Sequence, residues 1–100
     1  MATAAYPLPI RHFEVAGCQT TRTARDLRAS VEQALEHGGR HFVFDCGAWS
    51  RLDVITLSSL VRCTGVCRDA GASFEVANVS SELKEHVRQL GLVERLGLNA

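Results

Sequence analysis

The chain has 100 residues, 46% apolar and 22% charged, which suits one small globular domain and excludes a disordered one. Lysine plus arginine equal aspartate plus glutamate at 11 each. The basic excess expected of a nucleic-acid or membrane-surface binder is therefore missing.

Residues 1–9 carry Pro7 and Pro9, which confine them to an edge strand or a flexible, extended arm. The stretch RHFEVAGC, 11–18, alternates, with Phe13 and Val15 on one face. It predicts a strand ending near Gly17. In TTRTARDLRASVEQALEHGG, Ala24, Leu27, Val31, Ala34 and Leu35 recur at helical spacing. Thr21 or Thr23 is the expected N-cap and Gly38 or Gly39 the stop. Arg25, Arg28, Glu32 and Glu36 fall off the apolar stripe and read as a solvated face.

RHFVFDC, 40–46, is a short apolar run that predicts a central strand. The loop GAWSRLD leads into a second helix from about Val54 to Asp69. Its expected inner stripe is Leu57, Leu60, Val61, Thr64 and Cys67. SFEVANV, 73–79, predicts a third strand. Ser80 or Ser81 then caps a third helix with Leu83, Val87 and Leu90 inside, and LVERLGL packs back on the core. Strand and helix alternate three times. This predicts an α/β domain over 1–100 with a mostly parallel four-stranded sheet, residues 1–9 as a candidate N-terminal edge strand or an arm, and three to four covering helices.

No apolar run approaches the roughly 18 residues that cross a bilayer, and MATAAYPLPIRHF lacks the n- and h-regions of a signal peptide. A cytoplasmic protein is expected, with no membrane insertion. Neither GxGxxG nor GxxxxGK[ST] occurs. The histidines are scattered, and no serine or cysteine sits in a nucleophile motif. The chain reads as non-catalytic, with no cofactor and no metal. Cys18, Cys46, Cys63 and Cys67 read as small reduced cysteines; Cys63 and Cys67, four apart on a helix, fall short of a zinc set.

The tip of the second helix, LDVITLSSL at 52–60, is unusual. Ligands and partners of open α/β sheets meet the carboxyl ends of parallel strands, where this helix begins. Asp53 is placed to cap it, and a surface role at the same tip stays open.

FVFDCGAWSRLDVITLSSL, followed downstream by ASFEVANVSSELKEHVRQLGLVERL and preceded by TARDLRASVEQAL, resembles a STAS domain over about residues 13–98. Asp45, Gly47, Asp53 and Leu57 fall in register with the family pattern. The resemblance implies an anti-sigma factor antagonist that binds a serine-kinase-fold anti-sigma factor. The alternative it implies is a cytosolic subunit regulating or assembling a lipid-transport ATPase. The family usually places two hydroxyl residues and a glycine after the acidic residue, the second hydroxyl being phosphorylated. Here Val54 and Ile55 replace the hydroxyls and Thr56 the glycine, so Ile55 occupies the phosphoacceptor position and cannot be modified.

The candidate partner-binding residues are accordingly Trp49, Asp53, Val54, Ile55, Thr56 and Ser58. Thr56 and Ser58 are also the candidate phosphorylation sites, though a hydroxyl in a first helical turn equally serves as a cap or a solvated residue. Val54 and Ile55 either contact a partner or lie under the GAW loop. Trp49 either contacts a partner or packs over the sheet end. A homodimer stays open.

Overall fold

The computed structural model describes residues 10–98. The edge strand expected in residues 1–9 lies outside them. The elements are β1 (Ile10–Glu14), α1 (Thr21–Glu36), β2 (His41–Asp45), α2 (Val54–Asp69), β3 (Ser73–Ala77) and α3 (Ser81–Gln89). Among the described residues the sheet has three strands in the order β1-β2-β3, all parallel. Sequential parallel strands need a crossover helix each time, and the right-handed rule sends successive crossovers to one face.

Burial agrees with a sheet covered on that face. Phe42 and Phe44 of β2 and Val76 of β3 are buried, while His12, Glu14, Ser73 and Glu75 on the other face are exposed. In register, Phe13 lies beside Phe44 and Phe42 beside Phe74. The rings of Phe13, Phe42 and Phe44 stack with centroids 5.9–6.5 Å apart. Each such side chain contributes about 1.5–3 kcal/mol through burial. Val31 of α1, Leu60, Cys63 and Cys67 of α2, and Leu83 and Val87 of α3 complete the core.

The end of the chain closes that core. Leu96 and Leu98 are buried, and the Arg68 guanidinium donates to the Arg95 carbonyl at 2.8 Å while lying 5.2 Å from the Phe74 ring centroid. This segment forms turns, so three helices are present among the described residues. Leu90, expected inside, is 54% exposed. It is the C-cap of α3, where the chain already turns away from the core.

Two local details differ from the expected helix signals. The N-cap of α1 is Thr20, one residue earlier than expected, in a reciprocal capping box with Thr23. The buried face of α2 is broader than the Leu57–Leu60–Val61–Thr64–Cys67 stripe. Thr56, Ser59 and Cys63 are also buried, while Leu57 and Val61 are half-buried. The helix packs against α1 as well as against β3, and small residues permit the close approach on both sides. Gly71, at φ +74°, supplies the left-handed residue that ends α2, its N–H donating to the Arg68 carbonyl at 3.0 Å.

Candidate functional site

At the strand carboxyl ends the β1–α1 loop meets the start of α2, and the β3–α3 loop meets the end of β2. Asp53, in extended conformation, is the N-cap. Its Oδ1 accepts the Thr56 N–H at 2.8 Å, and its Oδ2 accepts the Cys18 N–H at 3.0 Å. One carboxylate thus caps α2 and ties down the β1–α1 loop. Thr56 adds a second tie, its Oγ1 accepting the Gln19 N–H at 3.2 Å. Partial burial pushes the Asp53 carboxyl up. The Thr56 hydroxyl and the backbone N–H groups of Cys18 and Thr56 outweigh it, so the group sits below the usual aspartate range.

Asp45, at the end of β2, anchors the neighbouring loops. Its Oδ1 accepts the Gly47 N–H at 2.9 Å and the Asn78 side-chain amide at 3.0 Å. The Asn78 bond, then the Gly47 bond, hold this carboxyl below its usual range. Asn78 sits at φ +60° and Cys18 at φ +58°. Asparagine tolerates the left-handed region; cysteine is uncommon there.

Trp49 is packed inside, 2% exposed, with its indole N–H donating to the Arg51 carbonyl at 2.8 Å. It lies over the sheet end against Gly17, where an added Cβ would come within 2.7 Å of its Cδ1. Of the two roles open to Trp49, the structure displays packing. Thr56 is fully buried, so its hydroxyl braces the turn and does not face solvent.

What the tip displays is apolar. Val54 is 78% exposed, Ile55 41% and Leu52 36%. Ser58, one turn further on, is exposed. The expected residues thus divide into a displayed set (Val54, Ile55, Ser58) and a supporting set (Asp53, Thr56, Trp49). The sequence reading missed Leu52, the Cys18 and Gln19 backbone donors, and Asn78. Only Asn78 carried a usable signal, an asparagine directly after a strand.

Burial pushes the thiols of Cys46, Cys63 and Cys67 up to about 11. Buried thiols of this kind are held in the protonated form at neutral pH. Among the described residues no helix is long and apolar enough to cross a membrane, and no three His, Cys, Asp or Glu side chains are grouped to hold a metal ion.

No curated protein matches the chain. The family model described as Mlab, STAS domain, matches residues 11–98, which takes in every strand and helix above except the first residue of β1. The chain therefore belongs to the STAS family, whose domains are generally non-enzymatic protein-interaction modules.

Proposed function

We propose that the start of α2 is a docking surface for a partner protein, and that the chain acts in the cytoplasm by binding, without catalysis. One observation carries this reading. Two β-branched apolar residues, Val54 and Ile55, stand exposed at a helix tip. They cost solvation there and contribute little to the core. Contiguous exposed apolar surface of this kind marks interaction sites. Leu52 and Ser58 extend the contact, and Asp53, Thr56 and Trp49 hold it in shape.

The partner we propose is an anti-sigma factor of the serine-kinase fold, as the STAS resemblance implies. Docking would not be switched at position 55, since isoleucine accepts no phosphate. Ser58 is the exposed hydroxyl left nearby for regulation. A second reading is a subunit that regulates or assembles a lipid-transport ATPase. The same tip favours it, because Ile55 lacks a hydroxyl and Thr56 is buried, which suits permanent assembly.

Affinity capture from native cell extract, with mass spectrometry, tests both. Wild type should recover a kinase-fold protein, and Ile55→Glu should lose it, because docking would bury an unpaired carboxylate. Recovery of ATPase subunits would replace the first partner with the second. Equal recovery by Ile55→Glu would remove the docking face from α2.

A further inference from the structure

Beside the apolar tip runs a groove between α1 and α2, about 410 Å³ in volume. Val54 and Ile55 line one part of it. Arg25 and Arg28 of α1 and Arg62 of α2 also line it, and its lining includes no carboxylate. Arg25 and Arg28 are three apart on one helix face. Among the described residues the one ion pair made by these arginines is Arg28 with Glu32, at 4.0 Å. That pair is exposed and weak, so three guanidinium groups border the groove with one loosely held counter-charge. The chain as a whole is neutral, with 11 acidic and 11 basic residues. This clustering is therefore local. At the groove lining Ser59 is 6% exposed, with the Cys63 thiol as the weak companion of its hydroxyl.

We infer that this groove receives an amphipathic, acidic helical segment of the partner protein. The segment's apolar side chains would meet Val54 and Ile55, and its carboxylates would meet Arg25, Arg28 and Arg62. The inference rests on the docking reading above and names the chemistry of the docked segment. Two features support it: the groove is continuous with the exposed tip, and its charge is single-signed. A cationic rim of this kind speeds encounter and fixes register, and its contribution falls with salt. Arginine suits the task because its planar fork pairs carboxylates in two-bond geometry.

The test places the photo-crosslinker p-benzoylphenylalanine at Leu52, on the tip, or at Ser58, in the groove, in otherwise intact protein. After irradiation in native extract the crosslinked peptides are sequenced. Both positions should trap the same protein. The Ser58 crosslink should fall in a segment whose acidic residues outnumber its basic ones, with apolar residues every three or four positions. If Leu52 crosslinks a protein while Ser58 crosslinks nothing, or reaches a neutral or basic segment, the groove assignment is overturned and the docking reading stands. If neither position crosslinks, both are overturned.

Charge reversal is the second arm. Arg25→Glu with Arg62→Glu should reduce capture of the crosslinked protein about tenfold at low salt. Arg25→Lys with Arg62→Lys should retain most of it. Both positions are exposed, so far-UV circular dichroism should be unchanged. Undiminished capture after reversal contradicts the assignment.

Discussion

The N-termini of α2 and α3 occupy equivalent places and are built differently. Each follows the carboxyl end of a strand. Each is capped by a side chain that accepts the N–H three residues on: Asp53 from Thr56 at 2.8 Å, and Ser80 from Leu83 at 3.1 Å. The first turn of α3 then reads Ser81, Glu82, Leu83, with the first two exposed and the leucine buried. An acid sits near the positive end of the helix dipole, as stability alone would choose. The first turn of α2 reads Val54, Ile55, Thr56, with no acid, two exposed apolar residues and a buried hydroxyl. β-Branched residues lower helix propensity. The fold does not impose this difference, because α3 meets the same geometry with polar residues. The α2 tip departs from what folding asks for, and the proposed docking surface rests on that departure.

The largest effect should come from beneath the tip. Trp49→Ala is expected to cost about 3–5 kcal/mol in urea unfolding, the range for deleting a buried aromatic side chain. A loss under about 1 kcal/mol would mean that Trp49 does not support the α2 tip. Asp53→Ala should cost about 1–2 kcal/mol, more than Ser80→Ala at about 1 kcal/mol, because only Asp53 also holds a second loop through Cys18. Equal costs would reduce Asp53 to an ordinary cap.

The Asp53 contribution has a defined pH dependence. Its carboxyl is lowered in the folded chain from the ordinary 3.8, so its stabilisation is complete above that value. It is lost as pH falls through the lower folded value. Asp53→Asn should therefore flatten the acid limb of a stability–pH curve, leaving the share of Asp45, which is shifted the same way. An acid limb as steep as that of wild type would contradict this. Glu82→Ala, a change on the polar tip, should cost about 0.3–1 kcal/mol, and less as salt is raised. The smallest effect is expected of Cys18→Ser. It should leave the unfolding midpoint nearly unchanged while removing the one thiol that reacts with a chromogenic disulfide in the native chain, since Cys46, Cys63 and Cys67 are buried. Reaction of two or more thiols before unfolding would show the core around these cysteines to be open.

Strand and helix order was legible because each element carries its own period and stop. FVF between glycines, Leu27 with Val31 and Ala34, and Leu83 with Val87 all lie where their spacing puts them. The family followed from order and register, with Asp45 ending β2 and Asp53 capping α2 where they were expected; the loops that each also ties down were not foreseen. The side on which Trp49, Val54 and Ile55 stand was not legible. A tryptophan in a loop reads the same whether displayed or packed, and only the depth of the Gly17 contact separates the two. Thr56 was equally ambiguous, since its burial depends on a bond from Gln19, 37 positions away. The arginine groove escaped for a related reason. Arg25 and Arg28 look like a solvated face until α2 brings Arg62 across from them.

The central claim is that Val54 and Ile55 serve contact and not folding. The most direct measurement compares the double variant Val54→Ser/Ile55→Ser with wild type in two assays, urea unfolding and partner capture. The account predicts stability within about 0.5 kcal/mol of wild type, as for most exposed substitutions, together with loss of the captured partner. A drop of about 2 kcal/mol or more with capture retained by the folded fraction would contradict it, and would make the apolar tip part of the core.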